Sequence, residues 1–478
     1  MASSNTLFDL IHSLSSNEKR HFRLHSSIQK NEKIYLKLFD LLEGASTYDK
    51  QDIVQELKGL ITLKNLHVTE NYLYQKLMES LRAFHVDSSI DIKINNLLLE
   101  ASILRNKGFY KLETDVLRKA EKLAIKHHKH AILLSILPQR VTTILTSNQK
   151  HLIKEIEQVY QEAYLLVDNV KQEIEYRHRN SQLFASFRKW RTLKNEPTIQ
   201  NIKEGYSETI KKGFPTEGSF YSQYYYHSIQ AIYAHLHQEY SQAKKFQQAV
   251  VSIWDQFPII KKANLQLYIT QLANLINYAA LSQAYEEALL TIQKLALLKT
   301  STFDEKGEQF QNVYFYQQGI YLNTKNYAAS KALIPQIKDG LLKFETKIST
   351  GRKLNFYYNS TVTFFLTEDY QEAADWLNQI LTITRTNEHR KDIQRFARIL
   401  QLAIYYKLSS NEVLEYMFRG VYRDKKLIHT IPNSKDELNT FKELYIELGQ
   451  LDDQNKKTLG YEEFYIWVQM MCKMDLQN

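Results

Sequence analysis

The motif Tyr-x-x-Ala returns at nearly constant intervals along this chain, and no other feature constrains the fold as strongly. It occurs at Tyr240, Tyr285 and Tyr370, and Tyr327 begins the near match Tyr-Ala-Ala-Ser, which gives intervals of 45, 42 and 43 residues. On both sides of Tyr285, apolar residues recur every three or four positions, a spacing typical of amphipathic helices. We therefore predict that each unit is a helical hairpin whose second helix opens with the tyrosine. The small residue three positions later would allow the two helices to approach closely.

A helical hairpin cannot bury its apolar faces alone, so consecutive copies are expected to stack. Extending the period backward reaches Tyr110 and extending it forward reaches Asn411, whereas the registers near 153 and 196 match the motif poorly. The chain is thus predicted to hold five visible units, and up to eight by register, across residues 91–430. Composition agrees, because only 13 glycines and 6 prolines occur among 478 residues. We predict an all-α protein.

The second half of each unit resembles the tetratricopeptide repeat. The residues that carry the resemblance are Tyr240, Ala243, Phe246, Ala249, Tyr285, Ala288, Tyr370, Ala373 and Trp376. The chain departs from the family in its longer period, about 43 residues instead of about 34, and in lacking most of the glycines of the first helix. The resemblance implies a right-handed α-solenoid of stacked helical hairpins, with a concave groove that binds a protein or peptide.

The two ends of the chain do not follow the period. Residues 1–90 are predicted to be an N-terminal helical cap, and residues 431–478 to be C-terminal capping helices. Near the N-terminus, Ser15 and Glu18 form a predicted capping box, and Asp49 and Thr69 are predicted to cap later helices. Alternatively, the predicted helix that begins at Thr69 is the second helix of a helix-turn-helix module. The segment that joins it to the preceding helix is longer than the turn that this motif uses. For residues 431–478, the alternative to a cap is a buried dimer interface.

Polar residues recur on the predicted first helices at the period of the repeat. Asn312 and Asn355 are 43 residues apart, as are Tyr316 and Asn359. Within one helix such residues lie three or four positions apart and share a face. The partner-binding groove is predicted to be lined by Tyr225, Asn274, Asn277, Asn312, Tyr316, Asn355 and Asn359. Two interpretations are open: these side chains bind a peptide backbone, or they form an ordinary hydrated inner face.

A second candidate surface is basic and aromatic. Residues 101–130 hold eight basic and three acidic side chains. A later segment adds Arg177, Arg179, Arg188, Lys189, Trp190, Arg191 and Lys194. Basic residues interleaved with aromatic ones suit phosphate contacts and base stacking in nucleic acid. Alternatively, Phe184, Phe187 and Trp190, which recur every three residues, form a buried helix face, and the basic side chains are simply hydrated.

Motifs of catalysis are missing from the sequence: it contains no phosphate-binding glycine loop, no His-Glu-x-x-His and no serine-hydrolase elbow. The histidines at 127, 128 and 130 have no neighbouring carboxylate, so we predict no metal, no cofactor and no enzymatic activity. The single cysteine, Cys472, excludes an internal disulfide and fits a reducing compartment. Without a secretory signal or a long apolar run, a cytoplasmic location without membrane insertion is expected.

Together these features predict a non-enzymatic scaffold or adaptor that binds a partner peptide or helix in its groove. The alternative is a nucleic-acid-associated regulatory factor that uses the basic face at residues 101–194. A net charge of +9 permits an acidic or nucleic-acid partner without requiring one.

Overall fold

The computed structural model describes residues 4–27, 34–57, 59–86, 89–145, 151–193 and 218–384, with a few further positions between 393 and 408. These residues are almost wholly α-helical and include no β-strand, so the predicted all-α class is confirmed for them. The chain divides into two compact units, Met1–Gln172 and Glu173–Asn478. The predicted boundaries at residues 90 and 430 remain predictions, and residues 431–478 lie outside the described part.

The first unit is built from short and medium helices around two apolar cores. Its described helices are α1 Ser4–Ser13, α2 Ser16–Ser27, α3 Ile34–Gly44, α4 Lys50–Glu56, α5 Leu63–Phe84, α6 Ile90–Asn106, α7 Tyr110–Lys126, α8 His130–Leu145 and the beginning of α9 Leu152–Leu193. Helices α1 to α5 enclose one core, in which Phe22, Phe39 and Leu73 are fully buried. Helices α6, α7 and α8 share another around Ala120 and Ala124.

Two of the three predicted caps in this unit are confirmed. The Ser15 backbone N–H donates to Glu18 Oε2 at 2.7 Å, and the Glu18 N–H donates to Ser15 Oγ at 3.3 Å, which completes the capping box. Asp49 accepts hydrogen bonds from the first N–H groups of α4. The prediction for Thr69 is wrong, because α5 has begun before it and its hydroxyl donates to the Asn65 carbonyl within that helix. The helix-turn-helix alternative requires a helix that begins at Thr69, and the structure has none there.

The second unit contains the repeating hairpins. Its further helices are α10 Phe220–Leu236, α11 Tyr240–Gln256, α12 Pro258–Ala263, α13 Leu265–Leu281, α14 Tyr285–Ala296, α15 Phe303–Asn323, α16 Tyr327–Lys343, α17 Thr350–Leu366 and α18 Tyr370–Thr384. As predicted, each motif tyrosine is the first residue of the second helix in its hairpin. The small residues three positions later, Ala243, Ala288, Ser330 and Ala373, are fully buried. A side chain of minimal size at this position lets the paired helices approach each other.

One turn geometry joins the two helices of each hairpin. In the α13–α14 turn, Gln283 has a φ of 59°, the Ala284 N–H donates to the Ala279 carbonyl at 2.8 Å, and the Gln283 N–H donates to the Ala280 carbonyl at 3.0 Å. This pair of bonds defines the Schellman motif, whose left-handed residue is ordinarily glycine. The residues at the equivalent position of the other turns are Gln238, Lys325 and Glu368, with φ between 58° and 63°. These turns thus keep the backbone of a glycine turn while carrying long side chains.

Consecutive hairpins pack along the chain through two kinds of contact. The second helix of one hairpin packs on the first helix of the next, as α11 does on α13, α14 on α15 and α16 on α17. First helices also contact each other, α13 with α15 and α15 with α17. Buried polar side chains cross these interfaces: Gln318 Nε2 donates to Ser360 Oγ at 3.2 Å, and the hydroxyls of Ser330 and Thr363 are 2.7 Å apart. Such bonded pairs fix how one hairpin sits on the next.

Helix α9 departs from the predicted register. Hairpins at the registers near 153 and 196 would need a turn between them, but α9 continues for 42 residues. Its sequence contains neither glycine nor proline, so no local signal ends the helix. Residues 152–193 therefore form one helix and no hairpin, although the repeat period continues both before and after them in the sequence.

Candidate functional site

The seven residues predicted to line a groove all lie on first helices of the hairpins in the second unit. Helix α10 carries Tyr225, α13 carries Asn274 and Asn277, α15 carries Asn312 and Tyr316, and α17 carries Asn355 and Asn359. Because α13 contacts α15 and α15 contacts α17, six of the seven lie on three helices in sequential contact. We call the partly exposed side of α13, α15 and α17 that carries these residues the first-helix face.

The asparagine side chains on this face differ in availability. Asn274 is exposed and Asn277 and Asn359 are half-buried, and none of the three amides has a hydrogen-bond partner among the described residues. Asn355 is half-buried as well. Asn312 is only 6% exposed and its Nδ2 donates to the Glu308 carbonyl of its own helix at 2.8 Å. The amide of Asn312 therefore stabilises α15 locally, whereas those of Asn274, Asn277 and Asn359 keep donors and acceptors open toward solvent.

Aromatic and cationic side chains lie among the amides. The ring of Tyr316 is 5.1 Å from that of Phe315, and the guanidinium of Arg352 on α17 stacks over Phe315 at 4.1 Å. Both Phe315 and Arg352 are half-buried. Sequence reasoning missed these two residues, although each lies three positions from a predicted asparagine and so shares its helix face. The face thus combines flat apolar area with amide groups, a composition suited to contacting peptide.

The structure brings together two residues that were assigned to different surfaces. Arg177 Nε donates to the Tyr225 hydroxyl at 3.2 Å, and the guanidinium carbon lies 5.5 Å from the centre of the tyrosine ring. Arg177 was placed on the nucleic-acid face and Tyr225 in the groove, but they form one contact between α9 and α10. Their mutual pairing leaves each less available for a separate ligand.

The rest of the basic segment on α9 is only partly described. Arg179 is half-buried, and Phe187 packs edge-on against His235 with their ring centres 5.0 Å apart. Phe184 is exposed, so the aromatic residues of this segment do not share one buried face. The side chains of Arg188, Lys189, Trp190, Arg191 and Lys194 lie outside the described residues.

Helix α7 presents a mainly basic face in the first unit, interrupted by the exposed Asp115. Lys111, Lys122 and Lys126 are exposed, recur at spacings that share one helix face, and form no ion pair among the described residues. Arg118 lies between them and makes only a long, exposed contact with Asp115 at 3.4 Å. These side chains extend along about 20 Å of the helix axis, given a rise of about 1.5 Å per residue. Four of the eight basic side chains of residues 101–130 therefore share one accessible surface.

The three histidines 127, 128 and 130 lie in the turn between α7 and α8 and at the start of α8. His127 is buried and its Nδ1 has no hydrogen-bond partner among the described residues. Burial, and next the charges of Lys126 and Lys129, lower the pKa of His127 below its ordinary value. His128 adopts a φ of 53° in the turn, and its ring lies 5.8 Å from that of His130. Within the described part of the chain, no three His, Cys, Asp or Glu side chains gather as a metal site would require.

Tyrosines beside the first-helix face are held neutral. Burial raises the pKa of Tyr224 to about 12, and Gln271 Nε2 donates to its hydroxyl at 3.3 Å. Burial, and then the nearby Tyr316, raise the pKa of Tyr278. At neutral pH these phenols act as hydrogen-bonding groups and not as charges.

No protein-family model matches the chain, and no curated protein matches it significantly. Among the described helices, each is too short or too polar to cross a lipid bilayer.

Proposed function

We propose that this protein is a non-enzymatic interaction scaffold that binds an extended segment or helix of a partner protein on its first-helix face. The repeated hairpins and their shared turn support a tetratricopeptide-like α-solenoid, and the order of contacts between first helices supports a continuous binding surface. The observation that carries the proposal is the set of open amides, Asn274, Asn277 and Asn359. Asparagine is a mediocre helix former, so its recurrence in the middle of these helices without an internal partner calls for another role.

The chemistry of the face favours a partner of low net charge. Amides present both donors and acceptors and can pair with the N–H and C=O groups of a peptide backbone. The rings of Phe315 and Tyr316 provide area against which apolar side chains can pack. The guanidinium carbon of Arg352 lies 4.1 Å from the centre of the Phe315 ring, so this cation is already paired with an aromatic side chain. Partner specificity would then come from the apolar side chains that pack on these rings, with the amides fixing the backbone.

Binding can be tested with a double variant, Asn277→Ala and Asn359→Ala, in the full chain. Alanine is the better helix former, so the variant should fold at least as well as the parent. Partners captured on the tagged protein from its native lysate, after nuclease treatment, would be quantified by mass spectrometry. If each amide contributes about 1 kcal/mol, the affinity falls about 30-fold.

The matched control is Asn95→Ala, which removes an exposed mid-helix amide of α6 in the first unit. It should leave the captured partners unchanged. Retention of all nuclease-resistant partners by the double variant would refute the role of the first-helix face.

A second candidate function, binding of single-stranded nucleic acid, rests on the basic face of α7. Exposed Tyr110, at the start of the same helix, could stack on a base while Lys122 and Lys126 contact phosphates. Fluorescence anisotropy with a short labelled RNA should then show affinity that falls steeply between about 50 and 200 mM salt. Charge reversal at Lys122 and Lys126 should abolish that binding, whereas reversal of the exposed Lys262 and Lys306 should not.

A further inference from the structure

Helix α9 carries an unusual series of exposed apolar side chains in the first unit. Ile153 is 86% exposed, Tyr160 41%, Tyr164 62% and Val167 49%. Single exposed apolar residues are common on protein surfaces, whereas a contiguous row of large ones marks an interaction site. The row lies about 100° around the helix from Val159 and Ala163, which are buried in the first unit. It is thus a second face of α9, separate from the one that packs inward.

The spacing of this row identifies the kind of partner. Ile153, Tyr160 and Val167 are seven residues apart, and Tyr164 lies four residues after Tyr160 and three before Val167. When the steps of four and three residues are continued along the helix, they also include Glu157 and Lys171, both of which are exposed. We call Ile153, Glu157, Tyr160, Tyr164, Val167 and Lys171 the α9 seam. A period of 3.5 residues matches a partner that is itself a helix wound around α9, because the seam then stays in contact along its length.

We propose that the partner is a second copy of this chain and that the two α9 helices pair antiparallel about Tyr164. Glu157 lies seven residues before Tyr164 and Lys171 seven residues after it, so the two charges are equidistant from the centre. Antiparallel pairing brings Glu157 of each copy to Lys171 of the other. Parallel pairing in register would place Glu157 against Glu157 and Lys171 against Lys171, which is repulsive. The seam is thus complementary to itself in one orientation only.

The charges needed for this pairing are available. Lys171 has no ion-pair partner among the described residues, and Glu157 accepts a single hydrogen bond from Gln161 Nε2 at 2.9 Å on its own helix. A twofold interface uses the same patch on both copies, so each contact occurs twice. The seam extends over about 27 Å, or about five helical turns. This self-association does not depend on the proposed partner binding by the second unit.

Sedimentation velocity on the full chain tests the proposal through charge exchange. We expect a dimer whose dissociation constant rises at least tenfold in Glu157→Lys and in Lys171→Glu, and returns to near the parent value when both changes are combined. The control Lys154→Glu makes the same charge change on an exposed position off the seam and should leave the dimer intact. A monomer at all concentrations, as when another partner or segment covers the seam, would overturn the proposal. So would a dimer indifferent to both single variants.

Orientation is tested by disulfide cross-linking after the only native cysteine is removed by Cys472→Ser. Glu157→Cys protein and Lys171→Cys protein should each resist oxidation to a covalent dimer alone, and should cross-link when mixed. Self-cross-linking of each protein alone would show parallel pairing and overturn the antiparallel arrangement. All the changed seam positions are exposed in one copy, so folding of the protomer should be unaffected.

Discussion

Replacing Gly340 by alanine should destabilise the second unit, although the same change in an exposed helix is stabilising. Gly340 lies in α16 and is buried. A Cβ built on it would overlap the ring of Phe310 on α15, with Cδ2 only 2.6 Å away and two other ring atoms closer still. The ring cannot easily move aside, since it lies 5.5 Å from the ring of Phe344 and 5.9 Å from that of Phe356.

Two opposing effects set the size of the change. Alanine is favoured over glycine in a helix by about 1 kcal/mol. Forcing an extra methyl into a packed core costs about 1–3 kcal/mol, and three neighbouring rings place this site toward the upper end. The net result is a loss of about 1–2 kcal/mol in the free energy of unfolding. Gly319→Ala provides the matched control: it lies on the partner helix α15, where an added Cβ meets no atom within 4 Å, so a gain of about 0.5–1 kcal/mol is expected.

The assay is urea unfolding of the full chain, followed by helical circular dichroism. Both glycines belong to the same hairpin, so the two midpoints can be compared directly, and they should move in opposite directions from the parent. Combining Gly340→Ala with Phe310→Leu should recover part of the loss, which gives a coupling energy above about 0.5 kcal/mol. If Gly340→Ala proves as stabilising as Gly319→Ala, the reasoning from the contact with Phe310 is refuted.

Three further outcomes follow from the structure. Gln283→Gly should stabilise the α13–α14 turn by about 1 kcal/mol, because glycine adopts its left-handed φ without strain, and a higher melting temperature would show it. Ser360→Ala should cost about 1–3 kcal/mol in urea unfolding, since the buried Gln318 would lose its bond to Ser360 while its Oε1 already has no partner among the described residues; an unchanged midpoint would contradict this. Burial lowers the pKa of His127 in the folded state, so its contribution to stability is present above the unfolded pKa of about 6.5 and is lost as pH falls. Urea unfolding midpoints should therefore decrease from pH 7 to pH 5. The decrease should be smaller in His127→Gln.

The limits of sequence reasoning appear most clearly in the asparagine series. A shared interval of 43 residues made Asn312 and Asn355 look equivalent, yet Asn312 is buried and Asn355 is half-buried. Helix α15 has 21 residues where α13 and α17 have 17, so equal intervals in sequence do not give equal positions across each interface. The period locates a helix, but how far each residue protrudes depends on the helix packed beside it.

By itself the sequence determined the all-helical class, the capping box at Ser15 and the residue at which each second helix begins. Those features are local: a capping side chain bonds within one turn, and the tyrosine and the small residue mark a helix start through contacts with the preceding helix. Only the tertiary structure decided that Arg177 pairs with Tyr225, that long side chains occupy left-handed turns, and that a row of apolar residues on α9 stays uncovered. These features depend on which helices meet, and burial arises from contacts between segments that are far apart in the chain.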